Sequence, residues 1–174
     1  MVKLKVKNLH WITEEETERD LCAHGFVILK IGNRIVSDKE TGEWAVNVAA
    51  FNLLKTVLAN YDGDDTTQLI PCCGHDFILW DKTDEIVFFG CNNGIDWKIA
   101  HRDKKIIHIF DDNTEIETEI KEWAEKIADF SDEVMAFYQH SKDKVPHDHD
   151  KKAFERFMQD WKNLRFSISE LAGK

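Results

Sequence analysis

Apolar and charged residues alternate from the start of the chain. Val2, Leu4 and Val6 are separated by Lys3, Lys5 and Lys7, so residues 2–7 predict a strand with one buried face. Two β-rich runs, 26–31 and 34–37, flank Gly32-Asn33 and predict a hairpin closed by a two-residue turn. Past Trp44 the period lengthens. Val48, Phe51, Leu54 and Leu58 line one side of a helix from about 47 to 60, with Asn47 placed as its N-cap. Residues 68–110 hold five short β-rich runs (68–70, 77–80, 85–89, 97–100 and 105–110) separated by polar turns, the pattern of an antiparallel meander.

The last third is helical. Ile116, Ile120, Trp123, Ile127, Phe130, Val134 and Phe137 recur at alternating steps of four and three, which makes one apolar stripe. Thr114 and Glu117 fit a capping box at its start. The same residues also alternate, so a last strand over 114–118 with the helix beginning near 119 fits equally. After Pro146, Asp150 is placed to cap a final helix with Phe154, Phe157, Met158, Trp161 and Leu164 inward. The expectation is a single α+β domain over 1–174, an antiparallel sheet of about five to seven strands covered by one central and two C-terminal helices. With 174 residues, eleven Phe and six Trp, the chain has enough apolar area for a core of its own.

Charge narrows the function. The chain carries 33 acidic against 23 basic residues, net −10, and residues 111–174 hold the larger share of the imbalance per residue. A negative field repels phosphate backbones, so nucleic acid is not an expected partner, and it speeds encounter with a basic protein. No apolar run is long enough to span a membrane, and the first residues alternate rather than form a signal peptide, so the expected setting is the cytoplasm. Acidic residues cluster in three places: the run 14–20, the loop with Asp62, Asp64 and Asp65, and the outward side of the long helix. The loop lacks the ligand spacing and closing Glu of an EF-hand and reads as a solvated turn. Glu119, Glu122, Glu125, Asp129, Asp132 and Glu133 form the helical stripe that would meet a basic partner.

Four cysteines lie in three loop-like segments, Leu21-Cys22-Ala23-His24-Gly25, Pro71-Cys72-Cys73-Gly74-His75 and Gly90-Cys91-Asn92-Asn93-Gly94-Ile95-Asp96-Trp97. Adjacent Cys72 and Cys73 are too close in the chain to bridge each other, and a reducing compartment argues against disulfides. If the sheet gathers these ends, Cys22, His24, Cys72, Cys73, His75 and Cys91 contain enough soft ligands for a tetrahedral zinc site, although the spacing is wrong for any standard finger or ribbon, which use two-residue gaps between paired ligands. A second arrangement makes Cys22 or Cys73 a nucleophile, with His24, His75 or His101 as base and Asp96 orienting it. The plainer alternative is that small thiols fill tightly packed loops. His147 and His149, two apart beside Pro146, read as an exposed loop. Trp123 and Trp161 fall at inward helical positions, whereas Trp11, Trp44 and Trp80 sit near element ends, as core or as partner anchors. Phosphate-loop, dinucleotide-binding, nucleophile-elbow and H-E-x-x-H patterns are absent.

Taken together, the LCxHG, PCCGH and GCxNGIDW segments, with the Lys30-Ile31-Gly32-Asn33 hairpin and Phe137-Tyr138, resemble a family of small uncharacterised bacterial proteins over roughly residues 20–165. That resemblance implies no activity and transfers no functional residue. In size and acidity the chain is also similar to immunity proteins that block a cognate bacterial toxin. The expectation is therefore a non-enzymatic acidic protein that neutralises a basic partner such as a toxin, without a cofactor. The alternative is a zinc-binding protein or Cys/His enzyme using the cysteine loops.

Overall fold

The computed structural model describes residues 1–13, 17–63, 67–73, 76–80, 83–90 and 92–172, apart from the side chains of Glu170 and Ala172. Expectations for Glu14–Glu16, Asp64, Asp65, His75 and Cys91 lie outside the described residues.

The chain forms an α+β fold in which three antiparallel sheets replace the single sheet expected. The first contains β1 (Val2–Trp11), β2 (Ala23–Ile31), β3 (Arg34–Ser37) and the short β4 (Trp44–Ala45). Here the alternation holds: Val2 faces Ile31, Leu4 faces Leu29 and Val6 faces Val27, all buried, while Lys3, Lys5 and Lys7 point to solvent. Gly32, at φ +58°, makes the turn after β2, a left-handed conformation that glycine adopts without a Cβ clash. Asn8, also in left-handed backbone, accompanies a register shift between Lys7 and His10.

Helix α1 (Val46–Leu58) buries Val48, Phe51 and Leu54, as the period predicts, but Leu58 is 43% exposed at its C-terminal end. Asn47 is inside the helix, not its cap. Ala45 holds that position with no side-chain bond, and Asn47 is fully buried instead. The second sheet is the hairpin of β5 (Asp76–Trp80) and β6 (Glu85–Phe89). The expected strand over 68–70 is reduced to one bridge between Ile70 and Ile95. In the third sheet β7 (Lys98–Arg102), β8 (Lys105–Ile109) and β9 (Glu115–Glu119) pair in sequence order.

Of the two readings of 114–119, the strand is the one formed. Glu115–Glu119 pairs with β8, and helix α2 (Ile120–His140) follows without a capping box. The ladder to β8 satisfies backbone groups that an isolated first helical turn would leave open. Trp123, Ile127, Phe130 and Val134 are buried. Helix α3 (Lys151–Ser167) buries Phe154, Phe157 and Trp161, with Asp150 at its N-cap but making no side-chain cap bond, and a short α4 (Ser169–Ala172) ends the described chain. Phe51, Phe77, Phe88, Phe154, Phe157 and Trp161 stack edge-to-face, locking α1, α3 and the β5–β6 hairpin into one core. No described helix is long and apolar enough to cross a membrane.

Candidate functional site

The cysteine-loop residues divide. Cys22 precedes β2 and lies under the sheet beside α1, where its thiol donates to Asn47 Oδ1 at 3.7 Å and stands 4.0 Å from His24 Nε2. Asn47 Nδ2 donates to the Leu21 carbonyl at 3.3 Å, and the Tyr138 hydroxyl of α2 donates to that same carbonyl. Asp20 accepts from the Cys22 amide at 3.2 Å and from the Thr13 amide at 3.0 Å, so this acid from the 14–20 run is a buried structural acceptor. Burial pushes the Tyr138 phenol well above its ordinary value, and the neighbouring Cys22 and Asp20 add to the rise.

A Cys–His–Asn set invites comparison with thiol catalysis, but its geometry is wrong for it. Cys22, His24 and Asn47 are 2%, 7% and 0% exposed, so the pair with its 4.0 Å sulfur–nitrogen gap is closed to a substrate. The thiol donates to an amide oxygen in a sealed layer and has no face for a substrate. Its work is to tie β2, α1 and α2 together at one carbonyl, Leu21.

The other proposed partners are engaged elsewhere. His101 Nε2 meets the Thr56 carbonyl at 2.9 Å, and Asp96 accepts from the Leu69 amide at 3.0 Å and the Tyr61 hydroxyl at 3.1 Å. These bonds pin loops to the ends of strands. Cys73 is a half-buried thiol outside any disulfide, packed so close to Gly90 that a Cβ there would fall 2.3 Å from the Cys73 carbonyl oxygen. Cys72 is disulfide-bonded, against the expectation of thiols throughout. Cys73, whose adjacency makes a bridge to Cys72 strained, is outside any disulfide and is not its partner. Among the described residues no group of three or more His, Cys, Asp or Glu stands in a metal-holding arrangement. His147 and His149 stack with centroids 5.6 Å apart on an exposed loop.

One buried histidine lay outside the sequence reading. His108, on β8, is fully buried against Trp123, accepts at Nδ1 from the Trp97 indole at 3.2 Å and so carries its proton on Nε2, which donates to Thr118 Oγ1 at 3.0 Å. Burial lowers its pKa to about 3, which keeps the ring neutral. Both ring nitrogens are satisfied, so it joins β8 to β9.

The acidic stripe is more committed than its pattern suggests. Glu119 pairs with Lys105, Glu122 accepts from the Val2 amide at 2.6 Å and neighbours the N-terminal amine at 3.5 Å, and Asp132 holds Arg165 through two bonds at 2.8 and 2.9 Å. Asp129 and Glu133 are exposed, and Glu125 is half-buried.

A different surface stands out. Phe77, Leu79, Ile86 and Phe88 turn inward from the β5–β6 hairpin, which leaves Ile78, Trp80, Val87 and Phe89 on its outer side. Ile78, Trp80 and Phe89 are 40%, 44% and 41% exposed, with Asp76 and Glu85 on the same side. Of the three tryptophans left open by the sequence, Trp11 and Trp44 are core and Trp80 is the exposed one. A signal for this existed: the run Phe77-Ile78-Leu79-Trp80 is apolar at both parities, more than a two-stranded hairpin packed on one side can bury. No protein-family model, curated protein or solved structure matches the chain.

Proposed function

We propose that this protein is a non-enzymatic binding protein for a basic protein partner, acting as an immunity protein does on a toxin, with the outer side of β5–β6 as its contact. The observation that carries this reading is the exposed Ile78, Trp80 and Phe89 cluster beside Asp76 and Glu85 on a chain of net charge −10. Large aromatic side chains surrounded by charge are the usual anchors of a protein interface, and single exposed apolar residues are commonplace while a cluster on one hairpin is not. The negative field would speed arrival of a cationic partner, and the aromatic cluster would slow its departure. Glu125 and Glu133 on α2 contribute to that field, while Glu119, Glu122 and Asp132 spend their charge within the fold.

The test is to look for a gene of a basic toxin-like protein beside this one and to measure binding of its product at low and high salt. Trp80→Ala is expected to weaken binding by about tenfold or more, chiefly through faster dissociation, and added salt to slow association. Failure of the pair to bind at low salt overturns the reading. So does stoichiometric zinc in freshly purified protein that is lost on replacing Cys22 and Cys73, because that result assigns the cysteine loops a chemical role.

A further inference from the structure

We infer that the free edge of β1 receives an extended acidic segment of another protein, added as a further strand. Among the described strands β1 pairs only with β2, so its other side is an edge. Backbone direction along that edge is known from two bonds. The Met1 carbonyl accepts from the Gly32 amide on the β2 side at 3.0 Å, whereas the Val2 amide points the opposite way and donates to Glu122 at 2.6 Å. In an antiparallel ladder this direction alternates, so the N–H and C=O groups of Leu4 and Val6 also point away from β2. Glu122 satisfies the first position of the edge as a strand would, and among the described residues nothing does so for the next two.

The space beside these groups is a groove of about 630 Å³ running along Met1–Lys7 and walled by Lys126, Asp129, Phe130 and Glu133 of α2. These four residues sit at i, i+3, i+4 and i+7, one side of the helix parallel to the groove. Backbone donors and acceptors in such a cleft require partners, and an added strand supplies them in register.

Charge selects the occupant. A second copy of this chain pairing antiparallel through Val2, Leu4 and Val6 would set Lys3 opposite Lys5 of the other copy, and Lys5 opposite its Lys3. Like charges directly across a ladder are destabilising, and edge lysines are a known guard against self-pairing. A strand with Asp or Glu at alternate positions converts each repulsion into an attraction on the lysine side, and its intervening small apolar residues, not its acids, would lie over the groove wall that carries Asp129 and Glu133. This surface lies on the first sheet and is independent of the hairpin contact proposed above, so each survives the failure of the other.

The experiment uses the whole protein and a short peptide alternating Glu and Val, followed by amide exchange and by fluorescence anisotropy. Slowed exchange at the Leu4 and Val6 amides is expected, together with binding that weakens as salt rises. Methylating the peptide nitrogens that face β1 is expected to cost about tenfold or more in affinity, because at least two backbone bonds are lost. A Lys–Val peptide is expected not to bind the native protein and to bind a Lys3→Glu, Lys5→Glu, Lys7→Glu variant, whose substitutions are all on exposed positions. Unchanged Leu4 and Val6 exchange at every Glu–Val peptide concentration overturns the inference. Undiminished affinity of the methylated peptide does the same by showing charge without strand addition, and protection that rises with protein concentration alone would show self-pairing instead.

Discussion

Beside the buried Val2, Leu4 and Val6 of β1 stand Lys3, Lys5 and Lys7; beside the buried Phe77 and half-buried Leu79 of β5 stand Ile78 and Trp80. Both strands pack one side on helices and leave the other open, so the inward rule is shared and only the outward residues differ. Lysines at β1 leave a soluble face and an edge resistant to copies of itself. Aromatic and aliphatic residues at β5 and β6 leave a surface that gains free energy when covered, at roughly 25 cal/mol per Å² of apolar area. Equal folding constraints thus coexist with opposite interaction chemistry, and the difference resides in residues whose removal should barely affect the fold.

Substitutions on the two sides of the hairpin put that separation at risk most directly. Phe157→Ala, at the centre of the aromatic cluster under β5–β6, is expected to cost about 3–5 kcal/mol in chemical denaturation because the cavity cannot close around stacked rings. A loss below about 1 kcal/mol would mean that the hairpin is not held from inside. Acid titration probes the third sheet, whose one buried ring has no outward role. His108 is held near a pKa of 3 against 6.5 when unfolded, so the unfolded chain binds the extra proton between those values. Stability from this group is complete above pH 6.5 and falls as pH drops towards 3, by on the order of 5 kcal/mol in total. A His108→Gln variant should flatten that part of the pH–stability curve, and an unchanged slope would show that other groups govern it. Next in size, Thr118→Val leaves the His108 Nε2–H without its acceptor and is expected to cost about 1–3 kcal/mol.

The smallest effects sharpen the contrast. Trp80→Ser and Lys5→Ser are each expected to change stability by within about 0.5 kcal/mol, since both side chains face solvent. They should nevertheless diverge in retention on a hydrophobic column, where only Trp80→Ser elutes earlier. Thiol labelling separates Cys22 and Cys73 in a similar way. Cys73, half-buried, should react with a small alkylating reagent in the native state well before Cys22, which should wait for unfolding. Simultaneous modification would mean that the Leu21–Asn47–Tyr138 layer opens far more readily than its bonding implies.

Much of this fold is legible along the chain because its elements are local. The period of two in residues 2–7, the Gly32-Asn33 turn and the period of 3.6 in α1, α2 and α3 depend only on neighbours a few positions away. The interior of each helix followed, with Trp123, Ile127, Phe130, Val134, Phe157 and Trp161 buried as their spacing requires. Element ends were less legible. Residues 114–119 satisfy both a helix start and a strand, and pairing with β8, a contact across the sheet, decides for the strand. Asn47 has the residue type of a cap, yet a carbonyl 26 positions earlier in the chain claims its side chain.

The chemistry of the cysteine segments shows the same boundary. Residue identity established that thiols, histidines and acids were present in three short runs and that the chain is strongly acidic. Which of them meet was decided by packing: Cys22 stands 4.0 Å from His24 in a sealed layer and reaches Asn47, while Asp96 reaches Tyr61 and Leu69 and His101 reaches Thr56. Likewise, the count of negative charges belongs to the sequence, whereas their availability belongs to the fold, which pairs Glu119, Glu122 and Asp132 with distant cations. Periodicity acts through neighbours a turn or a pleat apart and is written in the chain itself. The partner of a polar side chain depends on how whole elements dock, and only the folded molecule specifies that.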